Sequence, residues 1–303
     1  MSTATIDAPA PAVAPPALKP RKKGRMTMLL STGWIALVAI HAVLNTALPW
    51  VSEHDKPGTR REEFGVGPSW DHWFGTDKLG RDVFSRCVYG SRLALMIAVL
   101  SVVIGLGIAT VFGLLAGYFR GWTDRIISIV ADVLLAFPPI ILLMSLTSFL
   151  DQREVLGIVL TRRWLVIGGL AILAVPTLTR VVRANTMVYS QREFVLAARS
   201  LGAKHGRVIF REILPNIVPS LVSFAMTALA VLVIAEGGLA FIGQSVQPPD
   251  TTWGKLIQDG SKNIEDQPWV SLAPAIVLFL TVLAFNLLGD VLSKRFDIKE
   301  SLA

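Results

Sequence analysis

Gln191–Asn216, QREFVLAARSLGAKHGRVIFREILPN, is the longest polar interruption between two apolar segments in the second half of the chain. On helical periodicity it divides into two short amphipathic pieces. Phe194, Ala198 and Leu201 recur at i, i+4 and i+7 and form the apolar face of the first. In the second, Lys204, Arg207 and Arg211 line one side, while Ile209, Phe210 and Ile213 point to the other. Gly202 between the pieces is suited to a left-handed helix stop, and Pro215 is expected to end the second piece. The segment is therefore a small, shaped, basic helical surface between two apolar runs.

Those flanking runs belong to a series. With 52% hydrophobic and only 17% charged residues, the chain lacks the balance of a soluble domain. Residues 28–50, 93–119 and 270–289 carry no formal charge; 126–150 contains only Asp132, and 217–242 only Glu236. A shorter run covers 164–182. A bilayer core needs about 20 apolar residues of helix, so the expected fold is an all-α integral membrane protein with six transmembrane helices. The expected division is a disordered, Ala/Pro-rich basic tail (1–25), a first span (26–52), an external segment (53–92), a transmembrane core (93–297) and a short tail (298–303). Core spans fall near 93–119, 126–150, 164–182, 217–242 and 270–290, with the polar loop at 183–216.

Charge sets the orientation. With both termini in the cytoplasm, the tail, the 120–125 turn, the 180–216 loop and the C-terminus hold 17 Lys or Arg. The other side holds 12 basic and 13 acidic residues over much more sequence. This matches the positive-inside rule and puts 191–216 in the cytoplasm. The basic residues flank spans instead of forming one patch, which argues against nucleic acid as a partner. The first apolar run exceeds a signal-peptide core and no small-x-small cleavage site follows, so it reads as a retained anchor.

Four further features bear on function. The external segment contains a helix candidate with apolar Val83, Phe84, Cys87 and Val88; Arg81, Arg86 and Arg92 could snorkel from such a helix at the membrane surface, or the stretch could be an ordered loop. Gly113 and Gly117 form a Gly-x-x-x-Gly pair suited to close helix packing, more readily within one subunit than between two. Asp132 and Glu236 are intramembrane acids, open to a proton-coupling or a structural role. Gly237 and Gly238 are expected to loosen the helix after Glu236, and turns are expected at Pro248-Pro249-Asp250 and Asp259-Gly260. The mixed-charge stretch 151–163 has no assigned role.

Several chemistries are missing. No Gly-x-x-x-x-Gly-Lys-Ser/Thr phosphate loop is present, so the chain itself should not hydrolyse ATP. One cysteine, Cys87, and four scattered histidines argue against a disulfide framework or a metal site. No Gly-x-Ser-x-Gly elbow supports an intramembrane serine protease.

The spacing of Ala197, Ala198, Gly202, Leu214 and Pro215 resembles the "EAA" loop of bacterial ABC importer permeases. Leu196 stands in its Glu slot and Glu212 in its Ile slot, so the salt bridge of the family glutamate is not expected. Three more stretches resemble the dipeptide/oligopeptide/nickel permease branch and its C-type subunit. They are FGTDKLGRDVFSR (with Gly75, Thr76, Asp77, Gly80, Arg81 and Asp82), GLAFIGQSVQPPDTTWG, and FNLLGDVLSKRFD. The resemblance covers about residues 70–297 and implies a type I importer permease fold in the bacterial inner membrane. It implies an ATPase-coupling surface at Ala197, Ala198, Arg199, Gly202, Lys204, Arg207, Arg211, Leu214 and Pro215. Asp132, Glu236, Asn286 and Asp290 are gate or span-packing candidates. Implied partners are a homologous B-type permease, two cytoplasmic ATPases that hold ATP and Mg, and an external substrate-binding protein, with no cofactor on this chain. The competing readings are an ion- or proton-coupled carrier acting alone through Asp132 and Glu236, and a structural or assembly protein.

Overall fold

The computed structural model describes residues 23–44, 51, 58, 63–155 and 158–300. The tail expected over 1–25 thus lies almost wholly outside the described residues, as do 301–303. Among the described residues ten helices carry the architecture: α1 (Lys23–Leu44), α2 (Val83–Phe119), α3 (Gly121–Ala136), α4 (Pro139–Leu150), α5 (Arg162–Tyr189), α6 (Glu193–Ser200), α7 (His205–Arg207), α8 (Leu214–Phe241), α9 (Trp253–Ser261) and α10 (Pro268–Glu300). A π-helical turn, Val208–Ile213, joins α7 to α8. Among the described residues, two-residue strands Glu154–Val155 and Ile158–Val159 pair antiparallel, and Thr76 and Asp82 form an isolated bridge.

Among the described residues five helices are long and apolar enough to cross a membrane, and α3 with α4 makes a sixth if the pair, bent by 81°, is counted as one span. The bend replaces the straight third span expected from 126–150. Phe137 and Pro138 each precede a proline, which disfavours helical backbone at both; their ψ angles are 131° and 121°. The helix restarts with Pro139 in its first turn, where a missing N–H costs nothing.

Over Val83–Val88 the expected interfacial helix is not separate from the second span. Asp82 caps α2 by accepting from the Ser85 backbone N–H at 2.7 Å, and the helix runs unbroken from Val83 through the apolar run. Arg86 does not snorkel either: its side chain is 6% exposed and donates to Asp77 at 3.0 Å. The expected face of Val83 and Cys87 is buried, against Leu256 and Val270 of α9 and α10.

The central packing is α2 on α5. A Cβ added at Gly113 would lie 2.5 Å from the Val182 Cβ, and one at Gly117 2.6 Å from the Thr186 Cβ. The glycine pair therefore mates two helices within this chain, and Ser101 Oγ donates across the same seam to the Ile167 carbonyl at 3.0 Å. Ile97, Val166, Ile167, Leu170, Ala230 and Val233 fill the core between α2, α5 and α8. Trp34 ties α1 to α10 through a hydrogen bond to Thr281 Oγ1 at 3.1 Å.

The loop after α8 is more ordered than its turn chemistry suggests. Thr252 caps α9, and Asp259-Gly260 lies inside that helix, not in a turn. Gly260 is needed because its Cβ would meet the backbone of Val270 and Ser271 within 2.7 Å. Gly237 and Gly238 do not loosen α8, which continues to Phe241. Gly237 instead admits Gly254, whose added Cβ would sit 2.6 Å from the Gly237 Cα.

Candidate functional site: a helical plateau and two charged clusters

The 191–216 segment has two sides of opposite character. Val195, Val208, Ile209, Ile213 and Ile217 are buried with Leu114 and Tyr118 of α2 and Val182 of α5. On the outward side, Phe194, Leu196, Leu201 and Phe210 are 41%, 50%, 88% and 66% exposed. Phe194 and Leu201 of the expected apolar face of the first piece are turned outward, and Val195 anchors α6. The sequence expectation is corrected in the second piece, where Phe210 points away from Ile209 and Ile213. Both pieces are too short for periodicity to reveal which apolar edge the rest of the chain covers.

Gly202 follows the end of α6 with φ +81°, as its left-handed role requires, and its surroundings are open. Pro215 does not end the second piece. Helix continues from His205 to Phe241, because the turn before Pro215 widens to π geometry: the Leu214 N–H donates to the Ile209 carbonyl, five residues back. A π turn accommodates the proline ring and its missing donor without a break. Asn216 Nδ2 then donates to the Glu212 carbonyl at 2.6 Å.

Of the basic residues, Lys204, Arg207 and Arg211 are exposed on this plateau. Arg199 is exposed too, and its guanidinium stacks 4.7 Å above the Tyr118 ring. Tyr118 also shares a 2.9 Å hydrogen bond with His205 Nδ1, and Phe119 packs on the same imidazole. Tyr118 and His205 are 87 residues apart, and no local pattern in the sequence pairs them. The plateau is thus keyed to the end of α2 as well as continuous with α8.

Beside it, α3 is fastened to α5. Arg183 grips Asp124 with Nε at 2.5 Å and Nη2 at 2.7 Å, a two-point guanidinium–carboxylate contact. Farther along both helices, Arg180 Nη2 donates to Asp132 Oδ1 at 2.5 Å. Asp132 is thus paired through α5, while Arg125, on its own helix, lies over the Trp122 ring.

The opposite end carries the second cluster. Asp77 is 6% exposed and accepts from the backbone N–H groups of Leu79 and Arg81, from Arg81 Nε at 2.8 Å and from Arg86 Nη1 at 3.0 Å. Thr76 Oγ1 donates to the Glu63 carbonyl, its own carbonyl accepts from Trp269 Nε1, and it bridges to Asp82. Gly75 and Gly80 both have φ +72°. The six expected motif residues are therefore brought together, as a knot closing residues 63–82 over α10. Residues 151–163 gain a place too: Arg162 binds Asp151 and Gln244, and Arg163 binds Asp250 at 2.7 Å.

The remaining candidates are dispersed. Glu236 is 1% exposed and accepts from Ser245 Oγ at 2.6 Å and Thr252 Oγ1 at 2.8 Å, so it pins the loop after α8. Asn286 turns back on its own helix to the Val282 carbonyl, and Asp290 is exposed on the α10 turn that carries Gly289 into contact with α8. Among the described residues no three His, Cys, Asp or Glu side chains gather as a metal site.

Comparison with known proteins agrees with this architecture. Residues 109–298 match the family described as binding-protein-dependent transport system inner membrane component. The chain is 38% identical over 265 residues to the glutathione transport system permease protein GsiD of Pectobacterium atrosepticum, covering 88% of this chain and 84% of that one. It is 36% identical over 282 residues to the dipeptide transport system permease protein DppC of Alkalihalophilus pseudofirmus, covering 93% and 88%. Among solved structures, an inward-facing methionine ABC transporter MetNI superposes with a TM-score of 0.54 at 21% identity, over 68% of this chain and 95% of that one. An amino acid ABC transporter solved with histidines gives 0.53 at 17% identity, over 70% and 94%. These structural likenesses carry the fold.

Proposed function

The chain belongs to the family of binding-protein-dependent transport system inner membrane components, and from that premise we propose that it is one half of a peptide-importing ABC permease, with 191–216 as its ATPase seat. It is a membrane permease subunit, and the ion-coupled carrier reading gives way to that membership. Di- and oligopeptides, with glutathione among them, are the substrate class that the functions of its relatives suggest. A second, homologous permease would complete the path. Two cytoplasmic ATPases would hold ATP and Mg, and an external binding protein would deliver the solute.

The observation that carries this reading is the two-sided 191–216 segment. Its inner side is packed on α2 and α5, while its outer side presents four large apolar side chains among exposed Arg and Lys. Such a surface can bury its apolar centre in a cleft of a partner while the charged rim sets orientation. Movement of that partner would then reach α8 through the continuous helix, α2 through Tyr118 and α5 through Val182.

Gly202→Val tests the seat. Open space around Gly202 leaves backbone strain as the main effect, about 1–2 kcal/mol for forcing a side chain into left-handed geometry. The plateau should lose its shape, so peptide uptake and ATPase co-purification fall while membrane insertion persists. Wild-type uptake together with wild-type co-purification would remove the coupling role.

A further inference from the structure

We propose that the Asp132–Arg180 pair and the apolar cavity beside it form a solute site within the translocation path, built for a small zwitterionic peptide. The inference rests on the permease reading above and adds a place on this chain where the solute binds in transit.

The first observation is exposure in the wrong solvent. Asp132 and Arg180 lie within membrane-spanning helices, yet their side chains are 62% and 57% exposed on this chain. Charges facing acyl chains are expensive, so this face meets water or another polar surface in the working protein. The helix that carries Asp132 supports this: Ala131 is the only fully buried residue of α3, and Ile129, Val130, Val133 and Leu135 around Asp132 are exposed on this chain.

A second observation separates this pair from its neighbour. One turn along α5, Arg183 holds Asp124 by two contacts, and both side chains are at most one-third exposed, as a fixed strut would be. Arg180 gives Asp132 a single hydrogen bond among the described residues. A guanidinium has five donors and a carboxylate about four acceptor positions, so most of the capacity of both groups faces outward.

The third is the cavity. A space of about 340 Å³ opens between Pro139 at the α3–α4 bend, α5 and α8. Leu173 and Thr177 line it from α5, on the same side of that helix as Arg180 and about two turns and one turn before it. Phe224, Thr227 and Val231 line it from α8. Pro139, at the 81° break between α3 and α4, closes one side of this recess. Arg180 itself lies about 13 Å of helix rise from the cytoplasmic end of α5.

Together these surfaces offer a positive group, a negative group and an apolar recess. A peptide with free termini carries the matching set. Its carboxylate can take the outward N–H groups of Arg180, its ammonium can take Asp132, and a side chain can enter the recess. A metal ion or a neutral sugar would use only part of this arrangement. Because the two protein charges neutralise each other between solutes, the empty path retains no isolated charge.

The experiment uses the complete importer, both permeases with ATPases and binding protein, in proteoliposomes loaded with ATP. The probes are radiolabelled alanyl-alanine and glutathione. Arg180→Gln and Asp132→Asn should each lower the rate of uptake about tenfold or more, the scale of losing one charge-assisted contact, while the complex assembles and its hydrolysis still responds to loaded binding protein. The exchanged pair, Arg180→Asp with Asp132→Arg, should restore any assembly defect but not uptake, because the charges meet the peptide reversed. Full uptake in the single variants overturns the site, as does full rescue by the exchanged pair, which would mark the residues as a strut. If the unmodified complex imports neither probe, the peptide reading itself falls and takes this site with it.

Discussion

Phe210 offers the most direct test of the plateau. Its side chain is 66% exposed although the residues on either side of it, Ile209 and Arg211, are buried and charged respectively. A phenylalanine presents roughly 200 Å², so about 130 Å² is available to a partner. At about 25 cal/mol per Å², complete burial on docking is worth about 3 kcal/mol. Alanine retains roughly a third of that, which leaves a loss of about 2 kcal/mol, or about thirtyfold in Kd. Phe210→Ala should cost this chain little stability, because the packed side of the segment is carried by Val195, Val208, Ile209 and Ile213. The assay is binding of the purified ATPase subunits to the permease pair in nanodiscs, followed by biolayer interferometry, with thermal unfolding of the permease as control. An affinity within twofold of the unmodified protein, at unchanged unfolding temperature, would refute the assignment of this side chain to the interface.

Other perturbations probe the elements that hold the plateau and the Asp77 knot in place. Asp77→Asn removes the charge that Arg81 and Arg86 share in a buried setting, and should destabilise the 63–82 segment by about 3 kcal/mol; limited proteolysis within 63–82 should accelerate, and wild-type protection would contradict the buried-pair account. Gly117→Leu drives a side chain into Thr186 and the Arg183 carbonyl, so the α2–α5 seam should open at a cost of about 3 kcal/mol, read as a lower unfolding temperature in detergent. Glu236→Gln keeps a carbonyl oxygen to accept from Ser245 and Thr252, so uptake by the complete importer should stay within about threefold of the unmodified rate. Glu236→Leu leaves both buried hydroxyls without that acceptor and should destabilise by about 2 kcal/mol; abolition of uptake by Gln alone would instead restore a proton-coupling role to this carboxyl.

The membrane class, the approximate positions of the spans and the location of 191–216 between two of them are legible in composition and periodicity. The physical reason is that each depends on local chain properties: the length of an apolar run, the placement of Lys and Arg, and the left-handed geometry that Gly202 favours. The Gly113–Gly117 pair was legible for the same reason, since small residues one turn apart mark a close helix approach whatever the partner. Tertiary structure decided what depends on neighbours distant in sequence. Periodicity could not say that Val195, and not Phe194 or Leu201, is the anchor, because that choice depends on where α2 and α5 pass. It could not show that Asp259-Gly260 lies in a helix, since that rests on Trp253 reaching the Cys87 carbonyl and on α10 passing close to Gly260. Nor could it pair Asp132 with Arg180 or Tyr118 with His205. Hydrogen bonds and ion pairs are short-range, and only the packed helices bring those partners together.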